Sequence, residues 1–471
     1  MQGEAYGVLF LTLLFQIGQP LFTFLDFVVT TEERFDSRTK KTTAISFVFV
    51  KNTAGLFLYY VVIFLLKAGF RGVALFSSRS RHLLIGQRSA FRKLRQFATH
   101  RNPATPCFWF HCASLGEFEQ GRPVIEALRM RYPKAQIVLT FFSPSGYEVR
   151  HNYSEADLVS YLPFDGWRNP RRFVQLVQPT VAFFIKYEYW YGYLRALDRQ
   201  EVPVISVSTL LSSSNVAFRW YGGFYRHTMR LFTHYFAQDK TTAKLLDGIG
   251  VTQTTVAGDT RFDRVATLVA QSPEVPLAAA FTDDELVFVA GSSWPPDHAV
   301  LLPVVRDFAD EIKFIIAPHQ IEEEELLRIE AAIPYKTVRY SRAKAETVAN
   351  YRVLLIDNVG MLTALYRYGS FAYVGGAFGK SLHNILEPAT FGMPIFFGNR
   401  SYRHVNEAKA LLKRGGASTV ADAQELRHKF LLVYRDKNRR EQLAATTRQF
   451  VADNTGATDK IVRYVTTHIM R

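Results

Sequence analysis

Two glutamates in this 471-residue chain follow predicted buried strands, at positions where a carboxylate could do chemistry. Glu117 comes after the apolar run "CFWFHCA" and a short turn, ahead of a helix that Pro123 is predicted to help begin, and Glu188 ends the run "TVAFFIKYE". A buried carboxylate needs a partner or a function, and one that faces a cleft can act as a general base. Glu117 could instead cap its helix, and Glu188 could pair with Lys186. The residues leave both alternatives open.

The second half carries a glycine-rich run, "YVGGAFGKSLHNILEPATFGMP", directly after a predicted strand. A helix is predicted to start within it, with Glu387 in the first turn. Backbone amides at a helix start favour a phosphate, and a nearby carboxylate can accept hydrogen bonds from ribose hydroxyls. The run therefore predicts a nucleotide site.

Metal and serine-hydrolase chemistry are disfavoured by residue spacing. The chain has no Asp-x-Asp motif to hold a metal against a nucleotide diphosphate, and no Gly-x-Ser-x-Gly elbow after a strand. Five of its twelve histidines lie far apart in sequence and lack paired ligand spacing, so we predict hydrogen-bonding or structural roles for them and no metal site. These five are His111, His298, His319, His383 and His404.

Short apolar runs that alternate with amphipathic ones predict an α/β fold with parallel, doubly wound sheets. The pattern restarts after residues 271–285, "QSPEVPLAAAFTDDE", which resemble a linker. We therefore predict a membrane anchor and basic linker over 1–105, and Rossmann-like domains over 106–270 and 285–471. Ligands of such sheets bind at the carboxyl ends of the strands, here in an interdomain cleft.

The amino end is apolar and then basic. Residues Gly7–Val29 are long enough to cross a bilayer but are interrupted by polar residues, whereas Thr53–Leu66 is shorter and cleaner. The arginines and lysines of 70–101 would hold the chain on the cytoplasmic side of an anionic leaflet. A buried hairpin with a solvated basic face is the alternative. The net charge of +15 favours polyanionic partners without choosing among them.

The only two cysteines are Cys107 and Cys112. Their odd spacing within one strand points them to opposite faces, so we predict neither a disulfide nor a shared metal. This usage fits a reducing compartment.

A series of motifs from about Leu58 to the carboxyl terminus resembles the Kdo (3-deoxy-D-manno-octulosonic acid) transferases of lipopolysaccharide core biosynthesis. The motifs, in family order, are "HCASLGE", "SPSGYE", "LPFD", "KYEYW", "VAGDTRFDRV", "AGSSWPPDH", "IIAPHQ", "LLIDNVGML" and "GGAFGKSLHNILEPATFGMPIFFGN". Many relatives have Pro-Arg-His where this chain has "PHQ", so His319 stands where a cation is expected.

The resemblance implies a GT-B fold, with two Rossmann-like domains facing a cleft and a membrane-associated amino-terminal segment. It implies transfer of Kdo from CMP-Kdo to a lipid A precursor at the cytoplasmic face of the inner membrane. The transfer would be inverting and would need neither metal nor cofactor. Glu117 would be the general base, with Glu188, Ser114 and Arg261 near the reacting groups. The residues implied to bind CMP are Pro318, His319, Gly360, Met361, Leu362, Asn384, Ile385, Leu386 and Glu387.

Other functions fit parts of the sequence. Another GT-B glycosyltransferase or a nucleotide-sugar epimerase would share the architecture, but an epimerase would not need an anchor. A non-enzymatic binder of nucleic acid or of a membrane surface would use the basic face. No common nucleic-acid-binding signature appears, so we expect no nucleic-acid partner. Aromatic residues in "AFRWYGGFYR" could enter an anionic headgroup layer or pack in the core.

Overall fold

The computed structural model describes residues 40–470, without the side chains of 40–54 and of Arg79. The apolar run Gly7–Val29 lies outside the described residues. The chain divides into two compact units. Unit 1 comprises the chain up to Arg261 and the segment from Gly456 onward, and unit 2 comprises Phe262–Thr455.

Unit 1 is built on a parallel sheet of seven strands, counted over the described residues, in the order β3-β2-β1-β4-β5-β6-β7. The strands are β1 (Cys107–Cys112), β2 (Gln136–Phe141), β3 (Leu158–Tyr161), β4 (Val181–Ile185), β5 (Val204–Thr209), β6 (His234–Ala237) and β7 (Thr254–Val256). The helices are α1 (Lys40–Val73), α2 (Ser78–His100), α3 (Leu115–Arg131), α4 (Pro144–Arg150), α5 (Asn169–Val177), α6 (Tyr191–Asp198), α7 (Gly223–Met229) and α8 (Lys240–Asp247). Strands buried on both faces read as continuous apolar runs, which is why the sequence revealed β1 to β6.

Unit 2 repeats this architecture, with the order β10-β11-β9-β8-β12-β13-β14 within the described chain. The strands are β8 (Val287–Ser293), β9 (Lys313–Pro318), β10 (Thr337–Arg339), β11 (Val353–Leu355), β12 (Phe371–Val374), β13 (Ile395–Gly398) and β14 (Ala417–Val420). The helices are α9 (Thr260–Ala270), α10 (Pro276–Thr282), α11 (Pro295–Phe308), α12 (Glu323–Ala332), α13 (Leu362–Tyr366), α14 (Leu386–Phe391), α15 (Asn406–Arg414), α16 (Ala423–Tyr434) and α17 (Lys437–Ala452). The α/β prediction of two parallel sheets is confirmed.

Each sheet has a point at which the strand order reverses. In unit 1 the chain winds outward from β1 through β2 and β3 and then resumes on the other side at β4. In unit 2 the same reversal separates β8 from β12. Loops that leave neighbouring strands in opposite directions open a crevice at the carboxyl ends of the strands, which is where such sheets bind ligands.

The cysteines confirm the face prediction. Cys107 packs with Trp109 in the core on one side of β1, and Cys112 packs with Phe110 on the other side. Both are buried free thiols, and burial raises the pKa of Cys107 to about 12.

Two expected domain boundaries differ from the observed units. The expected linker at 271–285 contains α10, whose Ala278 and Phe281 are buried in the core of unit 2. The last helix, α18 (Ala457–Tyr464), belongs to unit 1 rather than to the second domain. Ala457 and Ile461 are one turn apart on its buried face and pack in the core that contains Cys112.

Helix α1 packs one face along unit 1. Tyr59, Leu66 and Phe70 share this face, and the Tyr59 hydroxyl donates to Asp165 Oδ2 at 2.5 Å. The segment Gly55–Val73 is long and apolar enough to cross a membrane, and only 17% of it is buried. The predicted anchor run Thr53–Leu66 therefore lies within a helix of which most described residues are not buried. The large apolar side chains exposed on α1 are Phe57, Phe64, Leu65 and Val73.

Helix α2 carries most of the basic segment. Its buried apolar residues repeat at helical spacing and face the domain, and many of its arginines face solvent. The buried residues are Leu83, Ala90, Leu94 and Phe97. In "AFRWYGGFYR", Trp220 is 66% exposed whereas Phe224 is buried, so both expected roles of the aromatics have a structural counterpart.

Candidate active site

Glu117 lies in the first turn of α3, just past the carboxyl end of β1. The backbone N–H of Ser114 donates to Glu117 Oε2 at 2.9 Å, and Ser114 Oγ lies 3.4 Å from the same oxygen. Glu117 therefore caps its own helix, and Ser114 contacts it. The prediction that Pro123 helps begin this helix was wrong: α3 begins at Leu115 and Pro123 lies in its interior. The cap formed by Ser114 and Glu117 already starts the helix.

The other carboxylate oxygen of Glu117, Oε1, accepts no hydrogen bond from the described residues. The side chain is 8% exposed. Burial and, to a smaller extent, the negative charge of Glu188 raise the pKa of Glu117 to about 8, against the lowering effects of Lys186 and of the Ser114 hydrogen bonds. A carboxylate with this pKa is a much stronger proton acceptor than one in water. Capping thus uses one oxygen and leaves the other for chemistry.

Glu188 follows β4, the neighbour of β1 across the reversal of strand order. Its Oε2 accepts a hydrogen bond from Trp190 Nε1 at 2.7 Å and lies 3.7 Å from His111 Nε2. His111 is fully buried at the end of β1 and shares a hydrogen bond with Thr140 through Nδ1. In the described chain Glu188 thus contacts Trp190 and His111 rather than Lys186. The structure brings Glu117 and Glu188 to the two strands that flank one crevice.

Arg261 is held by Asp259. The guanidinium donates to Asp259 Oδ2 from Nε at 2.9 Å and from Nη2 at 2.7 Å. Asp259 Oδ1 also accepts from Gln120 Nε2 at 3.0 Å, one turn along α3 from Glu117. Burial raises the pKa of Asp259, but Arg261 lowers it more, so the carboxylate stays ionised. The structure ties Arg261 to α3 through Asp259.

In unit 2 the predicted CMP-binding residues of β9 lie beside two aromatic rings that the sequence did not single out as site residues. His319 follows Pro318 at the end of β9, and its backbone N–H donates to the Ser293 carbonyl at 2.8 Å. Its ring stacks on Trp294, with centroids 4.2 Å apart, and lies 4.7 Å from the ring of His383. Trp294 Nε1 donates to His383 Nε2 at 2.8 Å. The sequence signals for Trp294 were its position directly after β8 and its place in the motif "AGSSWPPDH".

The remaining predicted residues come from two loops that are joined by Glu387. Glu387 Oε2 accepts from Thr363 Oγ1 at 2.8 Å, and Oε1 accepts from Asn384 Nδ2 at 2.9 Å. Burial raises the pKa of Glu387. Thr363 follows the turn formed by Gly360, Met361 and Leu362, in which Gly360 has a φ of +99°. Asn384 Oδ1 accepts the backbone N–H of Leu386 at 3.1 Å, and the side chains of Ile385 and Leu386 are buried in the core. All of these predicted residues therefore follow the ends of strands β9, β11 and β12.

The glycines after β12 allow a close approach between backbones. A Cβ atom on Gly375 would lie 2.2 Å from the Ser292 carbonyl oxygen. Gly376 has a φ of +93°, and its N–H donates to Asp297 Oδ2 at 2.9 Å. Larger residues would push apart the ends of β8 and β12, the two strands that flank the crevice of unit 2.

Ser293, His298 and Glu325 form a hydrogen-bonded line. Ser293 Oγ lies 2.9 Å from His298 Nε2, and His298 Nδ1 lies 2.9 Å from Glu325 Oε1. Ser293 is fully buried, so its hydroxyl has no access to a substrate. The line joins β8, α11 and α12 and has a structural role. The expectation of a structural role for His298 fits this geometry.

Comparison with known proteins identifies the family. The model of the 3-deoxy-D-manno-octulosonic-acid transferase (kdotransferase) family matches residues 86–264. A 3-deoxy-D-manno-octulosonic acid transferase of Rickettsia bellii is 22% identical over 397 residues, covering 82% of this chain and 94% of the relative. One from Haemophilus influenzae is 24% identical and covers 78% and 88%, respectively.

Solved structures agree on the fold. The UDP-GlcNAc 2-epimerase of Neisseria meningitidis, solved with UDP-GlcNAc, has a TM-score of 0.55 at 15% identity. The match covers 77% of this chain and all of the epimerase. At this identity the likeness shows a shared GT-B fold and not a shared activity. Because curated Kdo transferases match along most of their length, the chain is a homologue of the Kdo transferases and is a glycosyltransferase with a GT-B fold.

Proposed function

We propose that this Kdo transferase takes Kdo from CMP-Kdo and transfers it to a hydroxyl of a lipid A precursor at the cytoplasmic face of the inner membrane, with Glu117 as general base. The observation that carries the proposal is the buried carboxylate of Glu117, which has one oxygen in a helix cap and the other without a hydrogen bond from the described residues.

In the proposed step Glu117 Oε1 accepts the proton of the acceptor hydroxyl as the hydroxyl oxygen attacks the anomeric carbon of Kdo. The bond from that carbon to the phosphate oxygen of CMP breaks, and CMP leaves with the bonding electrons. Attack on the side opposite CMP inverts the anomeric carbon. Proton removal by a positioned base contributes about 10² to 10⁴ in rate.

The raised pKa of Glu117 suits this role. A base works best when its pKa lies near the working pH, because basicity and the ionised fraction are then both substantial. Burial and the charge of Glu188 raise the pKa of Glu117 to about 8, while Lys186 keeps it from rising further. Glu188 thus acts on the reaction through the basicity of Glu117.

Unit 2 is proposed to bind the CMP portion of the donor. The turn at Gly360, Met361 and Leu362 and the loop Asn384–Glu387 offer backbone groups, and Thr363 and Asn384 already occupy both oxygens of Glu387. Glu387 therefore fixes the two loops against each other. His319, stacked on Trp294, takes the place of the cation expected beside the phosphate. Fixed donors that face the leaving group stabilise its charge as the bond breaks.

In this proposal the acceptor lies in the membrane, and the enzyme binds the membrane surface. Helix α1 exposes Phe57, Phe64 and Leu65 on the face that does not pack on unit 1, and α2 presents arginines nearby in sequence. An apolar face with flanking cations favours binding to an anionic leaflet. The positive charge on these segments supports the cytoplasmic side.

The direct test uses purified full-length chain with CMP-Kdo and a lipid A precursor, with and without a chelator, and resolves products by mass. We expect CMP and a Kdo-lipid in equal amounts in both conditions. Release of CMP without a Kdo-lipid would count against the proposed acceptor. Loss of activity with the chelator would count against metal independence. Conversion of UDP-GlcNAc without CMP-Kdo turnover would favour the epimerase alternative.

A further inference from the structure

Unit 1 contains a polar cavity of about 260 Å³ between α1, α2 and the chain that follows β3. Lys67 and Arg71 of α1 and Arg88 of α2 line it together with Phe91 and Phe164. No carboxylate lines this cavity. It is therefore a basic pocket with aromatic walls.

The three cations lack partners of opposite charge. Within the described part of the chain, Lys67, Arg71 and Arg88 make no hydrogen bond and no ion pair. Lys67 and Arg71 are four residues apart on one helix face, a spacing at which like charges repel. The fold keeps three mutually repelling charges around one cavity. An anion in the cavity would relieve this repulsion and would gain charge-assisted hydrogen bonds.

The amide side chains that line the pocket already form hydrogen bonds with the backbone. Gln87 Nε2 donates to the Leu162 carbonyl at 2.6 Å, and Gln87 Oε1 accepts the Phe164 N–H at 2.9 Å. Asn169 Nδ2 donates to the Phe164 carbonyl at 3.0 Å. The amides hold the loop after β3 in place and leave the cations as the groups available to a ligand. Guanidinium and ammonium groups around a small cavity suit a phosphate group.

The position of the pocket links it to the candidate base. Phe164 follows β3, and its ring lies 5.6 Å from that of Phe142, which follows β2. Phe142 lies 5.0 Å from Trp190, and Trp190 donates to Glu188. Two strand spacings of about 4.8 Å separate β3 from β1, so the loop that lines the pocket leaves the sheet about 10 Å from the strand that leads to Glu117. The pocket and the base are thus served by loops from the same edge of one sheet.

The neighbouring surface fits a lipid. Phe57, Phe64 and Arg71 repeat every seven residues and so share one face of α1, with Lys67 one turn before Arg71. Phe57 and Phe64 are 72% and 68% exposed. This face of α1 is thus apolar in its earlier turns, at Phe57 and Phe64, and basic where it reaches the pocket, at Lys67 and Arg71. A ligand that carries both an acyl chain and a phosphate matches it.

We infer that the pocket formed by Lys67, Arg71 and Arg88 binds a phosphate group of the acylated sugar acceptor while the acceptor's hydroxyl meets Glu117. The inference rests on the proposed function, because it assigns this phosphate to the acceptor of Kdo transfer. A phospholipid headgroup or free phosphate has the same chemistry, and the experiment below separates these sources.

The test compares the full-length double variant Arg71→Gln/Arg88→Gln with wild type in neutral detergent micelles. The acceptors are a phosphorylated lipid A precursor and the same lipid after enzymatic dephosphorylation. We expect KM for the phosphorylated acceptor to rise at least tenfold, with little change for the dephosphorylated one. Arg95→Gln is the matched control, since Arg95 is an exposed arginine of α2 that does not line the cavity. Equal effects of control and double variant would overturn the inference.

Binding without the donor keeps this result separate from failure of the proposed function. Calorimetric titration of phosphorylated acceptor into the chain, in the same micelles, should show at least tenfold weaker binding for the double variant even if no sugar is transferred. If the variant instead loses only binding to vesicles containing phosphatidylglycerol, or only inhibition by inorganic phosphate, the assignment to the acceptor is wrong. The unfolding temperature should not fall, since the substituted side chains have no partners among the described residues and the double variant removes like-charge repulsion.

Discussion

The two units place a carboxylate at the same structural position and use it differently. Glu117 in unit 1 and Asp297 in unit 2 are each the third residue of the helix after the first strand of their sheet. Each accepts the backbone N–H of the residue that caps the helix, from Ser114 and from Trp294, at 2.9 Å in both cases. Each follows a strand that flanks the point at which the strand order reverses.

The difference lies in the remaining hydrogen bonds. Asp297 is fully buried, and it also accepts from the Tyr373 hydroxyl at 2.8 Å and from the Gly376 N–H at 2.9 Å. Among the described residues, Glu117 accepts hydrogen bonds only from Ser114, which caps the helix. Asp297 therefore holds the ends of β8 and β12 together, whereas Glu117 keeps an oxygen for a substrate. A helix-capping carboxylate can be structural or catalytic on one fold, and the number of donors around it separates the two roles.

The largest effect should come from Glu117→Gln. The amide oxygen can still accept the Ser114 N–H, so the helix cap should survive, but the side chain can no longer take a proton. We expect kcat to fall about 10²- to 10⁴-fold, with CMP binding little changed and with the free energy of unfolding little changed below pH 4.5, where Glu117 is protonated in both the folded and the unfolded chain. Initial rates, CMP titration and chemical denaturation would measure these quantities. Near-normal turnover would remove Glu117 from the role of base.

Asp297→Asn should mainly lower stability. The substitution leaves one oxygen for three donors and places an NH₂ group among them, and each unsatisfied buried donor costs about 1–3 kcal/mol. We expect the free energy of unfolding to fall by about this amount in urea titrations at neutral pH. Asp239→Asn, at an exposed helix cap of unit 1 that binds Thr242 N–H, is the control and should cost less. An unchanged stability would contradict the structural role of Asp297.

The pH dependence of kcat/KM should distinguish the effects of Glu188 and Lys186 on the pKa of Glu117. Because the base must be ionised, kcat/KM should rise with pH and level off above about 8, the pKa of Glu117. Glu188→Gln removes the negative charge that raises this pKa, so the midpoint should move to lower pH. Lys186→Met removes the positive charge that lowers it, so the midpoint should move to higher pH.

A profile of kcat/KM against pH for the wild type and both variants checks these signs. Shifts in the same direction for both variants would refute the assignment. Stability offers a second check. Folding raises the pKa of Glu117 from an ordinary 4.5 to about 8. The protonated carboxyl therefore contributes stability that is fully present below pH 4.5 and is lost as the pH rises through 8. Glu117→Gln should lack this loss.

The sequence predicts the parts of the site that depend on neighbouring residues. The apolar run ending at Cys112 and the following Ser-Leu-Gly-Glu are consecutive, so both the buried strand and the carboxylate in the next helical turn could be predicted. The glycines after β12 were recognised for the same reason. Whether Glu117 is a cap or a base could not be decided, because the answer depends on Glu188 and Lys186, about 70 residues away.

The sequence could not predict contacts between segments that are distant along the chain. Trp294 and His383 are 89 residues apart along the chain. They meet because β8 and β12 are neighbours in the sheet. The same holds for α18, where Ala457 and Ile461 lie one helical turn apart but do not reveal the unit on which the helix packs. In α10, Ala278 and Phe281 looked like part of a linker because the helix is short and flanked by Pro and Asp, which are turn residues in most contexts.

The smallest effect should come from substitution of Trp294. It tests whether donor binding by unit 2 depends on ring packing, in contrast to the charge-dependent chemistry of unit 1. Trp294→Ala removes the stack on His319, and such ring pairs are worth about 0.5–1.5 kcal/mol beyond their buried area. We expect KM for CMP-Kdo to rise about two- to tenfold with kcat little changed, and Trp294→Phe, which keeps a ring but loses the bond to His383, to fall between. Trp167→Ala in unit 1, at an 80% exposed tryptophan, is the control. A fall in kcat at constant KM would show that Trp294 acts in the chemical step, and the contrast between a charged unit 1 and an aromatic unit 2 would then fail.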